Sequence, residues 1–376
     1  MILLIKQQKI MRIKEKELYT TDEVAKILKV SAITVKRYIA DSKIPSIKFN
    51  GLRRIKSEDI LNILCANENE KELRDNKKQK EITLNNFPLN KIICGNAIEE
   101  LRKLPSNSCD IIIIDPPYNI GKDFGNNIDK RELSEYVAWS KKWINESIRV
   151  MKPNGTMFIY GFSEILAYLS VEIPISKRWL IWHYTNKNVA SLNFWQRSHE
   201  AIICAWKEKP IFNRDDVREP YTDGFLNGAA GKVRKGTVGR FSRGGQETIY
   251  NAHEGGALPR DVIKIPALVG GAGMIERWFL CKTCKDVFAP RELKKHQNHE
   301  IIKHPTQKPL ELTKKLIKSS IASNKGVILI PFVGSGSECV AAKELGQDYL
   351  GFELNPDYVK LAEKWIKSTR IASKLF

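Results

Sequence analysis

The sequence predicts an α/β chain in which a doubly wound sheet follows a small helical unit, and three observations carry that prediction. From about residue 88 onward, short β-branched runs such as Lys91-Ile92-Ile93-Cys94 and Asp110-Ile111-Ile112-Ile113-Ile114 recur with helical segments between them. Residues 18–64 instead show two closely spaced helical patterns. Between them, residues 66–83 hold almost no apolar groups, so this stretch cannot bury a face and reads as a linker. A length of 376 residues suits two or three domains. The expected division is 1–65, a linker at 66–87, and a large domain at 88–376.

Within the first unit, Thr20 or Thr21 caps a helix whose apolar positions Val24, Ile27 and Leu28 recur at helical spacing, with Glu23 near the capping-box position. A turn at Lys29-Val30-Ser31 follows, and Ser31 caps a second helix carrying Ile33, Val35, Tyr38 and Ile39. That helix turns Thr34, Lys36 and Arg37 outward, and Gly51-Leu52-Arg53-Arg54-Ile55 reads as a basic hairpin wing. The unit resembles the MerR-type and excisionase-like winged helices, which implies DNA contacts from Thr34, Lys36, Arg37, Arg53 and Arg54. A protein-binding adaptor of the same geometry is the alternative. In the large domain, further strands are expected at 156–160, 179–182, 201–206, 326–330 and 349–352.

Composition narrows the function classes. With 62 Lys+Arg against 43 Asp+Glu the formal charge is +19, whose commonest physical use is to neutralise phosphates or an anionic surface. Hydrophobic residues at 42% and charged residues at 28% fit neither a disordered chain nor a membrane protein. No apolar run approaches the roughly 18 residues that span a bilayer, and the apolar start, Met1 to Ile5, lacks the marks of a signal peptide. A cytoplasmic chain without a membrane partner is expected. The seven cysteines are odd in number and scattered (Cys65, Cys94, Cys109, Cys204, Cys339), which argues against a disulfide framework. Cys281 and Cys284 alone form a spaced pair.

The most informative run is Asp115-Pro116-Pro117-Tyr118-Asn119, directly after the apolar run Ile111 to Ile114. Two prolines fix φ and remove two donors, leaving rigid carbonyls and one carboxylate at a strand's carboxyl end, where α/β sheets bind ligands. Far downstream, Lys303-His304-Pro305-Thr306-Gln307-Lys308-Pro309 opens a helix through Leu310, Leu312, Leu316 and Ile317. The strand Val327 to Ile330 then enters Pro331-Phe332-Val333-Gly334-Ser335-Gly336-Ser337, and Glu353 closes the next strand ahead of Leu354-Asn355-Pro356. A glycine turn between strand and helix lets a ligand approach the backbone, and an acid at the next strand end accepts hydrogen bonds from ribose hydroxyls.

These motifs resemble those of the DNA amino-methyltransferases over about residues 88–370. Their order, catalytic loop before cofactor motifs, is similar to the β class of that family. The resemblance implies a Rossmann-like methyltransferase sheet dependent on S-adenosylmethionine, with a catalytic half at 88–210, a target-recognition region at 211–275 and a cofactor half at 301–370. It assigns Asp115, Pro116, Pro117 and Tyr118 to catalysis. It assigns Asn96, Asp115, His304, Thr306, Lys308, Pro331, Phe332, Gly334, Ser335, Gly336, Ser337, Glu353 and Asn355 to the cofactor, and Trp182 and Tyr184 to a wall of the base pocket. Those two aromatics suit an ordinary core equally well.

The recognition region contains Leu226 to Gln246, expected to be an open loop because its six glycines are more than an ordinary strand bears; it carries Lys232, Arg234, Lys235, Arg240 and Arg243 but no acid, a composition suited to phosphate contacts. At 278–300, Cys281-x2-Cys284-x3-Phe288-x4-Leu293-x2-His296-x2-His299 resembles a two-Cys, two-His zinc finger, which implies a structural zinc ion; Lys294 and Lys295 would add a third DNA-contacting surface. The spacings depart from the usual finger by about one residue.

The reaction so implied is methylation of adenine N6 in duplex DNA. Asp115 and the Pro116 carbonyl would accept the two N–H groups of the amine, aiming its lone pair at the sulfonium methyl of the cofactor. The base must be flipped out first, with Tyr118 as its stacking partner. Two departures from the family pattern stand out. Ile330 occupies the usual place of an Asp, and Asn96 that of an Asp after Gly95; weakened or rearranged cofactor contacts are expected there. Alternatives are cytosine-N4 methylation, methylation of RNA or protein, and a DNA-binding regulator on a methyltransferase platform. Duplex DNA is the expected partner, a cognate restriction endonuclease is a further candidate, and the assembly is expected to be a monomer or a homodimer.

Overall fold

A computed structural model describes residues 17–28, 30–41, 44–49, 52–60, 87–121, 129–186, 191–239, 242–269, 276–322 and 325–371. The linker up to residue 86, Lys29, Gly51, Cys65 and Arg240 lie outside the described residues. The chain divides into two units, Met1–Ile82 and Thr83–Phe376. Among the described residues, no helix is long and apolar enough to cross a membrane.

The smaller unit runs β1 (Leu18–Thr20), α1 (Thr21–Leu28), α2 (Ala32–Ala40), β2 (Ile47–Phe49) and β3 (Leu52–Lys56). Thr20 and Glu23 close the capping box in both directions. The Thr20 amide donates to Glu23 Oε2 at 2.8 Å, and the Glu23 amide donates to Thr20 Oγ1 at 3.2 Å. Ser31 caps α2 by accepting the Thr34 amide at 3.1 Å. β3 pairs antiparallel with both β1 and β2, so the expected wing is part of a three-stranded sheet. Val24, Val35, Ile39, Ile55 and Ile60 fill the small core between helices and sheet.

The larger unit opens with β4 (Lys91–Cys94), α3 (Ala97–Lys103), β5 (Cys109–Ile114), α4 (Leu133–Val150) and β6 (Met151–Gly161). It continues through α5 (Ser163–Val171), β7 (Ser176–His183), β8 (His199–Trp206) and α6 (Asp223–Gly228). Short strands follow: β9 (Val233–Lys235), β10 (Val238–Gly239), β11 (Ser242–Arg243), β12 (Glu247–Ile249) and β13 (Val262–Lys264). A second group of short strands is β14 (Phe279–Cys281), β15 (Val287–Phe288) and β16 (Ile301–Lys303). The chain closes through α7 (Leu310–Ser320), β17 (Val327–Ile330), α8 (Ser337–Glu344), β18 (Asp348–Glu353) and α9 (Pro356–Ser368).

The main sheet has eight strands in the order β13-β7-β8-β6-β5-β17-β18-β4. It is mixed, because β8 runs antiparallel to both of its neighbours while the other pairs are parallel. The strand period of two splits β5 between two cores. Ile111 and Ile113 join the layer holding α7, whereas Ile112 and Ile114 join the layer holding α4. Burial on both faces is why this strand reads as an unbroken apolar run.

Two segments take shapes different from those expected. The glycine-rich stretch is a nested ribbon, with β9 paired to β12 and β10 to β11, and its turn glycines Gly244 and Gly245 have φ of 72° and 82°. Glycine there supplies left-handed backbone inside a ribbon, where an open loop was expected. The finger-like segment is a three-stranded antiparallel sheet, β15-β14-β16, joined by a 3-10 helix at Pro290–His296. Its third strand lies beyond the expected 278–300 segment.

Candidate active site

Parallel pairing of β5 with β17, with Ile328 beside Ile111 and Leu329 beside Ile112, sets two distant motifs side by side. Both strands end at the same sheet edge, where the Asp115 loop leaves β5 and the glycine turn leaves β17. The end of β18 brings Glu353 alongside, and the end of β4 brings Gly95 and Asn96. Together they line one cleft. Of the residues expected here, Asn96, Asp115, Pro116, Pro117, His304, Thr306, Pro331, Phe332, Gly334, Ser335, Ser337, Glu353 and Asn355 line it. Tyr118, Lys308 and Gly336 stand behind that lining.

The Asp115 loop is held from both sides. Tyr136 of α4 donates its hydroxyl to the Pro117 carbonyl at 2.7 Å. Asn119, at φ 58°, exchanges two hydrogen bonds with the Arg131 backbone at 2.9 and 2.7 Å. Tyr118 is buried, with its ring meeting Phe162 edge-on at 5.2 Å and its hydroxyl donating to Asp115 Oδ1 at 2.6 Å. Burial, then the charges of Asp115 and Glu200, push the Tyr118 phenol well above its usual range, so the hydroxyl keeps the proton it donates.

Lys308 sits at the centre of the charge arrangement. Its ammonium donates to both Asp115 oxygens at 2.9 Å, lies 3.6 Å from Glu200 Oε2, and stands 5.2 Å from the ring centroids of both Tyr118 and Tyr160. Burial works to lower its pKa, but the Asp115 and Glu200 carboxylates outweigh this and hold it above the ordinary lysine value. The residue faces the Asp115 carboxylate from behind the cleft lining, whereas the family resemblance assigns it to the cofactor. A carboxylate offers about four acceptor sites. Lys308 takes one on each oxygen and Tyr118 a third, which leaves one on Oδ2.

At the glycine turn, Gly334 has φ 53°, and a Cβ there would lie 2.6 Å from His304 Nε2, so only glycine fits. Gly336, at φ 93°, lets α8 start against Ala362 of α9. Glu353 accepts the Gly334 amide through Oε2 and the Asn355 amide through Oε1, each at 2.8 Å, so one lone pair per oxygen is left over. Asn96 caps α3 by accepting the Ile98 amide at 2.9 Å. Its side-chain oxygen is thus already engaged in the helix start.

Trp182 and Tyr184 belong to the core layer behind Tyr118. Their rings meet edge-on at 5.0 Å, and Trp182 Nε1 donates to the Ile265 carbonyl at 2.8 Å. On the ribbon, Lys232, Arg234, Lys235 and Arg243 are exposed. In the smaller unit Lys36, Arg37 and Arg53 are exposed, Arg54 is half-buried, and Thr34 Oγ1 lies 2.8 Å from Ser31 Oγ. Cys281, Cys284, His296 and His299 come together with their ligand atoms all within 4.8 Å of one another. Lys294 and Lys295 are exposed beside them.

Two acids of the site were not anticipated. Glu200 is the charged position in the period-two face of β8 that also carries Ile202, and an acid in a core-facing register was a readable signal. Glu338 follows the glycine turn directly, is buried, and lines the cleft. Ser337 donates to its Oε2 at 2.9 Å, while Oε1 has no hydrogen-bond partner among the described residues. Burial and the nearby Asp115 charge push its carboxyl up to about 7. Ile330, where an acid was expected, is fully buried in the layer holding α7.

Comparison with known proteins agrees with this geometry. The family described as DNA methylase matches residues 109–364, and a helix-turn-helix domain matches residues 18–67. The type II methyltransferase M.HpaI of Haemophilus parainfluenzae is 29% identical over 286 residues, covering 74% of each chain. The DNA adenine methyltransferase YhdJ of Escherichia coli is 30% identical over 275 residues, covering 72% of this chain and 80% of its own. Among solved structures, the PvuII DNA methyltransferase (cytosine-N4-specific) covers 73% of this chain and 85% of its own, at 13% identity and a TM-score of 0.48. With the aspartate loop and the glycine turn meeting in one cleft, and a family match spanning most of the larger unit, this chain belongs to the DNA methylase family and carries a helix-turn-helix domain at its N-terminus.

Proposed function

We propose that the chain is a sequence-specific methyltransferase that uses S-adenosylmethionine to methylate adenine N6 in duplex DNA. The observation that carries this reading is the Asp115 carboxylate, positioned by Lys308 and Tyr118 with one acceptor site still open on Oδ2. S-adenosylmethionine would supply the sulfonium methyl group. The cleft suits it on two counts. Glu353 keeps a lone pair on each oxygen for ribose hydroxyls, and the unpartnered Glu338 Oε1 suits a cationic ammonium group. Glu338 would provide the polar contact that Ile330 cannot.

An exocyclic amine is a poor nucleophile while its lone pair is delocalised into the ring. Asp115 Oδ2 and the Pro116 carbonyl would accept its two N–H groups, holding the nitrogen pyramidal with its lone pair free for in-line attack. Lys308 stays paired with the Asp115 carboxylate in a largely buried site, and the Tyr136 bond to Pro117 keeps the loop from yielding as the amine rehybridises. A paired base cannot reach this edge, so the target must leave the helix stack. Tyr118 is buried, and a stacking role for it requires the ring to shift on DNA binding.

Adenine is the proposed target on two supports: Asp at position 115, and the 30% identical relative whose name specifies adenine. The exposed cations of the ribbon suit a groove that admits a two-stranded β element, and α2 with β3 suits a second contact. The Cys/His cluster has the donor set of a structural zinc site. Tritiated methyl transfer from S-adenosylmethionine to duplex DNA, RNA and protein tests the reading. Label in duplex DNA as N6-methyladenine is expected, and none in DNA would overturn it.

A further inference from the structure

The zinc-finger-like insert differs from a DNA-reading finger in where its surfaces go. In a reading finger, a helix carries the base-contacting side chains into the groove. Here the corresponding segment is a 3-10 helix of seven residues, Pro290–His296, and the insert turns an apolar side toward α9. Leu280 and Val287 pack with Leu361 of that helix, and the Trp278 and Trp365 rings stack at 6.4 Å. The insert's apolar side is covered by the larger unit's own helix, while Lys294 and Lys295 stay exposed on the short 3-10 helix.

The donor set fits a tetrahedral ion closely. Cys281 Sγ lies 3.4 Å from His299 Nδ1, Cys284 Sγ lies 3.4 Å from His296 Nδ1, and the two Nδ1 atoms are 3.3 Å apart. Zinc–sulfur and zinc–nitrogen bonds of about 2.3 and 2.1 Å give tetrahedral edges of about 3.4 Å between nitrogens and about 3.6 Å between nitrogen and sulfur, and these three distances fall within about 0.2 Å of them. The insert's own core is Phe279, Cys281 and Phe288 with Leu293 and Ile301 beside them, too little to hold three short strands together unaided.

What the insert holds is the arm of the cofactor cleft. β14 pairs with β16 so that Cys281 stands opposite Ile301 and Phe279 opposite Lys303. His299 lies two residues before β16, and His304 follows it directly. The His304 ring fills the space over Gly334 and meets Tyr358 of α9 edge-on at 4.9 Å. Four residues further on, Lys308 grips Asp115. One short strand thus connects a metal ligand to the residue that positions the catalytic-loop carboxylate.

We infer that zinc in the Cys281, Cys284, His296 and His299 cluster braces the His304–Lys308 arm, so that metal occupancy sets the affinity of the cleft for S-adenosylmethionine. The inference rests on the cofactor reading proposed above and gives the insert a structural task within the enzyme.

The test uses the full chain. Its zinc content is measured, the metal is removed by a chelator without denaturant, and S-adenosylmethionine binding is followed by calorimetry alongside far-UV circular dichroism and hydrogen exchange. The expected result is about one zinc per chain and, in the metal-free protein, a retained sheet signal, faster exchange at 301–308 and at least tenfold weaker cofactor binding, restored by added zinc. A variant, Trp365→Ala, keeps all four Cys/His residues; it should retain zinc yet also weaken cofactor binding several-fold. Absence of zinc, unchanged binding in the metal-free chain, or collapse of the whole sheet signal on metal removal would each overturn the brace. A chain that shows metal-dependent cofactor binding but methylates no DNA would sink the functional reading and leave the brace standing.

Discussion

Lys308 and Asp115 are 193 residues apart in sequence, yet the ammonium of one donates to both carboxylate oxygens of the other at 2.9 Å, and the lysine side chain is only 2% exposed. The pair joins the two halves of the site, because Asp115 leaves β5 and Lys308 precedes α7. A buried ion pair of this kind contributes little net stability over apolar groups of the same shape, but removing one partner leaves the other charge uncompensated.

Lys308→Met should therefore destabilise the chain by about 3–5 kcal/mol, since Asp115 would then face Glu200 and Glu338 with no cation between them. Urea unfolding of the variant against the parent checks the size. A double variant, Lys308→Met with Asp115→Asn, should recover most of the loss, and no recovery would mean the damage comes from packing alone.

Asp115→Ala should lower methyl transfer by at least about 100-fold while leaving DNA binding intact. Single-turnover transfer and a gel-shift assay on the same preparation separate the two. If DNA methylation persisted near the parental rate, Asp115 would not be the residue that receives the target amine.

Glu338 predicts a pH dependence of stability. Its folded value of about 7 lies above the ordinary 4.5, so the native state holds this proton more tightly than the unfolded chain does. Its stabilising contribution is present in full below about pH 4.5 and is lost as pH rises toward 7. Above that, ionised Glu338 costs the fold roughly 3 kcal/mol. Glu338→Gln should gain most over the parent at pH 8 and little at pH 4.5; an equal gain at both pH values would rule out the ionisation as its source.

Gly334→Ala would strain a left-handed residue by about 1–2 kcal/mol and drive a methyl group toward the His304 ring. S-adenosylmethionine affinity should fall roughly tenfold with the fold retained, as calorimetry and a thermal melt would show. A variant that binds as tightly as the parent would place the cofactor away from this turn.

For the DNA surfaces, Lys235→Ala in the ribbon and Arg37→Ala in α2 should each lower the slope of log affinity against log salt by about one if each contacts a phosphate. Only the surface that reads bases should also alter which sites are methylated. Sequencing of modified bases in a genome expressing each variant makes that distinction. A variant with neither effect removes its surface from the interface.

Much of this architecture was legible in the sequence because the signals are local. The Thr20–Glu23 capping box, the Ser31 cap and the unbroken run at Ile111 to Ile114 each report a nearby backbone conformation, and each formed as read. The Asp115 loop and the glycine turn could be recognised separately because their chemistry depends on a few adjacent residues. The ribbon was less legible, since its glycines mark left-handed turns as readily as an open loop.

The sequence by itself determined the helices of the smaller unit, the central strands of the main sheet, the family motifs and the donor set of the Cys/His cluster. Only the tertiary structure decided who faces whom. Parallel pairing of β5 with β17 sends Lys308 to Asp115, and the cap on α3 engages Asn96. The third strand of the insert ties the Cys/His cluster to His304. The physical reason is that a side chain's partners across a sheet are set by strand order and register, which depend on how every layer packs and leave no mark within any one segment.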